Sequence, residues 1–170
     1  MFLLGHLGIG RRLAHYWEAT LPAAALAAGT LLPDLIDKPL YYSRLWPYIT
    51  CTRTFGHTGL LLLLLTGAGV WRRSRGLKAL AAGVATHLLL DVAGDLLGGS
   101  GESSTLIAVA WPFSGGVFYT YYLPSIAAHA AQLLSAPIVA GELIGGWLLW
   151  REWRRRRLPA TRGRSPSNPE

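Results

Sequence analysis

Thr54-Phe-Gly-His-Thr-Gly-Leu-Leu-Leu-Leu-Leu-Leu-Thr-Gly-Ala-Gly-Val-Trp71 is an uncharged run that closes on Arg72 and Arg73. At 1.5 Å per residue its 18 residues reach about 27 Å as a helix, close to the thickness of a bilayer's hydrocarbon core. The six leucines from Leu60 to Leu65 cover every face of such a helix, and a soluble domain of this size has too little interior to bury them all. The stretch therefore predicts a transmembrane helix, and the rest of the chain is organised around it.

Three further uncharged runs flank it, 19–33, 79–90 and 103–141. They predict a first span over Trp17 to Ile36, a third over Leu77 to Leu97 and a last over Ala131 to Trp150, with Pro137 kinking the last or marking its start. Residues 98–124, rich in glycine and aromatics, read as a folded connection. The expectation is an all-α, multi-pass transmembrane helical bundle of about four spans plus a short N-terminal helix. Residues 1–158 form the membrane-embedded domain and residues 159–170 a disordered cytoplasmic tail.

The chain has 170 residues, 51% of them apolar, with 16 Lys+Arg against 9 Asp+Glu. Lone Cys51 excludes a disulfide scaffold. Position gives the positive charge its meaning: all basic residues except Lys38, Arg44 and Arg53 lie at 11–12, 72–78 or beyond 150. By the positive-inside rule these regions face the cytoplasm, which favours four spans with both termini inside. Topology accounts for the arginine run Arg154 to Arg157, so no nucleic-acid partner is expected; membrane lipid is. Met1 to Ile9 is apolar, but its arginines follow the apolar stretch, the reverse of a cleaved signal peptide. It reads as an interfacial or partly inserted helix.

Under this topology Asp34 and Asp37 end the first span on the outer side, and His57 begins the second there. His87, Asp91 and Asp95 share one face of the third at four-residue spacing, about 13 Å and more in from Lys78. Ionisable residues at that depth face the bundle interior and mark a paired charge or a functional site. Each has a plainer role open to it: a solvated span terminus for the aspartates, an interfacial position for His57, a packing pair for His87 and Asp91. His15 and His129 lack acidic neighbours at helical spacing and read as structural, and Glu142 in the last span is unassigned. Convergence of several segments on one depth favours a divalent metal held by imidazole and carboxylate, zinc first, with manganese and iron compatible.

Gly5-His6, Leu31-Leu-Pro-Asp-Leu-Ile-Asp-Lys-Pro39, Arg53-Thr-Phe-Gly-His-Thr58, Thr86-His-Leu-Leu-Leu-Asp91 and Trp111-Pro-Phe-Ser114 occur in this order. The pattern resembles the inner-membrane-bound predicted metal-dependent hydrolases, also described as LexA-binding, inner-membrane-associated hydrolases, over about residues 1–150. The resemblance implies a multi-pass membrane protein with metal ligands drawn from His6, Asp34, Asp37, His57, His87 and Asp91. Many relatives carry histidine where Lys38 stands here, and Phe-Gly-His-Thr replaces the commoner Gly-x-Thr-His-Ser. If Met1 is cytoplasmic, His6 needs a tilted or re-entrant helix to reach an outer site.

Three functions are open from these residues. One is a metal-dependent hydrolase acting on a lipid or other amphiphilic small molecule, with Glu102 or Asp95 as catalytic base. The second is a small metal-binding transporter. The third is a non-enzymatic membrane scaffold.

Overall fold

The computed structural model describes residues 3–17, 20–44, 49, 51–97, 104–115, 118, 134 and 136–157. Among them the regular structure is helical throughout: α1 (Leu3–Trp17), α2 (Ala23–Ser43), a one-turn 3-10 helix (Phe55–His57), α3 (Gly59–Trp71), α4 (Arg75–Leu97), α5 (Ser104–Val109) and α6 (Ala136–Arg157). The all-α expectation holds.

Local signals set several of the boundaries. The Thr58 hydroxyl caps α3 by accepting from the Leu61 amide at 3.1 Å. Arg73 turns the chain at φ 50°, the Ser74 amide returns to the Gly69 carbonyl at 3.0 Å, and the Ser74 hydroxyl accepts from the Leu77 amide to start α4. α2 begins later than expected, after Pro22, and runs through Pro33 and Pro39 to Ser43. Asp34 and Asp37 therefore sit within a continuous helix, where Lys38 reaches back to Asp34 at 2.6 Å across one turn. α6 starts at Ala136 with Pro137 in its first turn, where a missing amide costs nothing, and it includes Arg154 to Arg157.

Helix directions follow from the packing. The α2 and α4 backbones touch where Gly29 meets Leu80 and Gly83 meets Leu26 and Thr30, and a Cβ at either glycine would enter the neighbouring backbone. Arg75 at the Thr20 carbonyl, just before α2, and His87 at the Thr30 carbonyl show that the two helices run in parallel. α1 runs antiparallel to α4, with Gly10 against Thr86 and His6 against Asp91. It runs parallel to α6, with Gly5 against Gly141, Gly8 pressed on the Gly145 carbonyl, and Arg11 paired with Glu152 at 2.7 Å. Small residues that let helix backbones approach are the packing mode of helices in lipid.

One end of the bundle thus collects Arg11, Arg12, Arg72, Arg73, Arg75 and Arg151 to Arg157, and the other receives Leu3, Asp37, His57 and Asp91. The N-terminal helix, expected to be interfacial or partly inserted, packs as α1 against α2, α4 and α6. Its Leu3 end lies opposite the basic end reached by Arg157, so the two ends of the chain's helical part do not share a face. His6 reaches the acidic cluster without any re-entrant turn, because α1 descends from that level.

The distribution of polarity is inverted relative to a soluble domain. Trp71 is 83% and Leu63 70% exposed, along with Leu64, Val70, Leu143 and Trp150, while His6, Thr30, Asp37, His57, Thr86, His87 and Asp91 are buried. Among the described residues Arg75–Leu97 is the one helix long and apolar enough to cross a membrane by itself, and Gly59–Trp71 is apolar but shorter. α2 and α6 fall short of that criterion because each carries ionisable residues within it, Asp34, Asp37 and Lys38 in one, Glu142 and the arginines in the other.

Candidate metal centre

Four helical elements bring their polar side chains to one point. α4 contributes His87 and Asp91, the 3-10 helix contributes His57, α2 contributes Asp34, and α1 contributes His6. His87 donates from Nδ1 to the Thr30 carbonyl at 2.7 Å. His57 donates from Nδ1 to Asp37 Oδ2 at 2.7 Å. A carbonyl and a carboxylate only accept, so both Nδ1 atoms donate, and both Nε2 atoms face inward. Those two nitrogens stand 3.2 Å apart.

Asp91 closes the group. Its Oδ2 lies 3.4 Å from His57 Nε2 and 3.6 Å from His87 Nε2, and its Oδ1 lies 3.3 Å from His6 Nε2. The His6 ring stacks on His87 with centroids 4.0 Å apart. Asp34 Oδ1 stands 3.9 Å from His57 Nε2 and is the outermost member, its side chain 25% exposed. Two overlapping triads, His6-His87-Asp91 and Asp34-His57-His87, each place their donor atoms within 4.8 Å of one another.

Two imidazole nitrogens 3.2 Å apart share either a proton or a metal ion. Ligands about 2.0–2.1 Å from a tetrahedral ion stand about 3.3 Å from one another, and the spacings among His57, His87 and Asp91 bracket that value. Imidazole with carboxylate is the donor set of zinc and similar divalent ions. The buried His/Asp groups are thus able to hold a metal ion.

Asp37 stands behind His57. Its Oδ1 accepts from the Thr54 hydroxyl and the Gly56 amide, both at 2.8 Å, and its Oδ2 accepts from the Thr54 amide at 2.6 Å as well as from His57. With its lone pairs spent and its side chain fully buried, it aims the His57 ring. Asp95 also lies outside the cluster. Arg53 Nη1 donates to both of its oxygens, at 2.9 and 3.1 Å, and the Thr105 amide and hydroxyl donate to Oδ2. Glu102 and His129 fall outside the described residues.

Arg53 links these acids, its Nε 3.4 Å from Asp91 Oδ2. Burial opposes its charge, but the carboxylates of Asp91, Asp95 and Asp34 outweigh that and hold the guanidinium above its ordinary pKa. Sequence reasoning assigned Arg53 to topology alone, although it opens the Arg53-Thr-Phe-Gly-His block; Thr30 and Thr54 carried no signal of their own. Glu142, unassigned from sequence, accepts the Leu4 and Gly5 amides at 3.0 and 2.9 Å and caps α1 one residue before His6.

A family model described as YdjM inner membrane protein matches residues 2–161. The chain belongs to the YdjM inner membrane protein family. Its place is accordingly the inner membrane, in agreement with the apolar exterior of the bundle and the basic residues gathered at one end. Comparison of this YdjM-family chain with curated proteins and with solved structures gives no match.

Proposed function

We propose that this YdjM-family protein is a multi-pass membrane hydrolase that uses a divalent metal, zinc first, to cleave a lipid or other amphiphilic substrate. The observation that carries this reading is the pair of inward-facing Nε2 atoms of His57 and His87, 3.2 Å apart, with Asp91 beside both. His57, His87, Asp91 and His6 would hold the ion, and Asp34 stands beside them on the exposed side without ligating it. A bound divalent ion supplies Lewis acidity, which acidifies water and polarises the bond to be broken.

The chain's own groups account for the rest. Asp34 is the carboxylate at the open edge, and only its Oδ2 is engaged by Lys38, which leaves Oδ1 to take a proton from an attacking water and return it to the leaving group. This transfers to Asp34 the role expected of Asp95, whose oxygens are occupied by Arg53 and Thr105. Arg53, held cationic beside Asp91, offsets negative charge at that edge. The apolar outer surface of the helices gives an amphiphilic substrate a path from the bilayer. The helix directions support an orientation with the basic end in the cytoplasm and the Leu3 end of α1 on the opposite side.

The test is metal analysis of the full chain purified in mild detergent with zinc, manganese and iron supplied. Stoichiometric metal that is lost in both His87→Ala and Asp91→Ala is expected, together with metal-dependent hydrolysis of an ester-bearing amphiphile that fails in Asp34→Asn. Absence of metal from the wild-type protein overturns the reading. Metal uptake into proteoliposomes without hydrolysis would replace it by transport.

A further inference from the structure

Toward the basic end of the bundle, α1, α2 and α6 line an open cavity of about 390 Å³. Its rim carries Arg11, Arg12, Arg151, Arg155 and Arg156 against one acid, Glu152. Glu152 is shared: Arg11 reaches it at 2.7 Å and Arg156 at 2.9 Å, so a single carboxylate serves two guanidiniums. The walls below the rim are apolar, formed by Leu26 of α2 and Leu148 and Leu149 of α6, with backbone of α1 at Gly8. The lining is thus amphiphilic in a fixed sense, cationic at the outer edge and hydrocarbon toward the middle of the bundle.

Neighbouring rings mark the level of this rim. Arg151 lies over Trp147, Arg154 over Trp150 and Arg157 over Trp153, at 5.3, 5.0 and 4.2 Å. Three tryptophans interleaved with arginines on the last turns of α6 are the signature of the membrane–water boundary. A guanidinium binds phosphate through paired N–H donors, and basic pockets between helices on the cytoplasmic side suit lipid head groups.

We propose that this cavity is a binding site for the phosphate head group of an anionic phospholipid of the cytoplasmic leaflet. The phosphate is held by Arg12, Arg151 and Arg155, and the first acyl carbons lie along Leu26 and Leu148. The site rests on the orientation proposed above but not on the metal centre, since Arg12 lies six residues, about 9 Å along α1, beyond His6.

The full chain in mild detergent is titrated with phosphatidylglycerol and, separately, with phosphatidylethanolamine, and bound lipid is counted by native mass spectrometry. One phosphatidylglycerol per chain is expected, retained at least tenfold more tightly than phosphatidylethanolamine. In Arg12→Gln/Arg151→Gln/Arg155→Gln that preference falls at least tenfold, while metal content is unchanged. The charge-matched variant Arg72→Gln/Arg73→Gln/Arg154→Gln, altered away from the cavity, keeps it. Equal loss in both triples shows a diffuse surface field and overturns the site. Full competition by inorganic phosphate shows a soluble anion site and overturns the lipid assignment. Lipid selectivity in a preparation without metal would leave this site standing while removing the hydrolase.

Discussion

His57 and His87 meet Nε2 to Nε2 at 3.2 Å, and both rings are aimed from the same helix, His57 by Asp37 and His87 by the Thr30 carbonyl of α2. α2 is therefore the template of the centre even though the two histidines lie on other elements. A hydrogen bond to the far nitrogen of a ligating imidazole fixes its tautomer and raises its basicity, and losing such a partner costs about 10- to 100-fold in metal affinity. Asp37→Asn is expected to weaken zinc binding by that order in competition with a chromogenic chelator, whereas His57→Ala abolishes it. Equal affinity of Asp37→Asn and wild type would return Asp37 to a purely structural role.

How much of this arrangement was legible in the sequence depends on the distance over which each contact is made. His87 and Asp91 are one helical turn apart on an apolar helix, so their shared face followed from spacing. Asp34 and Asp37 were visible as candidates, but their division of labour was not. It is decided by the segment 54–57 folding back so that two backbone amides, the Thr54 hydroxyl and the His57 ring saturate Asp37. The place of His6 was hidden for another reason. The direction of α1 is set by packing against α6, with Gly8 and Gly145 137 residues apart in sequence, while the order of charges around Arg11 and Arg12 suggested an interfacial helix.

The α1–α6 contact makes its own prediction. A side chain at Gly145 would enter the backbone of Leu4 and Gly5, just before His6. Forcing bulk into such a contact costs about 1–3 kcal/mol or more. Gly145→Leu is expected to lower the thermal midpoint in detergent and to reduce metal occupancy, because α1 can no longer present His6. Gly67→Leu is the control, since a Cβ there meets nothing within 4 Å. Equal effects of the two substitutions would exclude this packing as the support of His6.

Glu142 acts on the same residue through the backbone. Its two oxygens take the amides of Leu4 and Gly5, which have no partner within α1, and its charge complements the positive end of that helix. Glu142→Gln keeps an acceptor but loses the charge, and it is expected to cost about 1 kcal/mol, as cap substitutions do. Glu142→Leu should cost more and also lower metal occupancy. Unfolding followed by circular dichroism in detergent, with and without added zinc, separates stability from binding. A leucine variant as stable as wild type would show that α1 does not depend on this cap.

Sidedness tests the orientation of the whole bundle. Cys51 is buried and burial pushes its thiol pKa up, so the wild-type protein should resist maleimide until it is denatured. In a Cys51→Ser background, a cysteine at Leu3, which is exposed at the acidic end, should react with an impermeant maleimide added outside intact cells. A cysteine at Arg73, in the turn between α3 and α4, should react only after the membrane is opened. Both residues lie on ends fixed by the helix packing, so the two results are coupled: α1 and α3 run in the same direction and must start on the same side. Labelling of Arg73→Cys but not Leu3→Cys from outside would invert the bundle and place the metal centre toward the cytoplasm. Labelling of both from the same side would contradict the antiparallel packing of α1 against α4 itself.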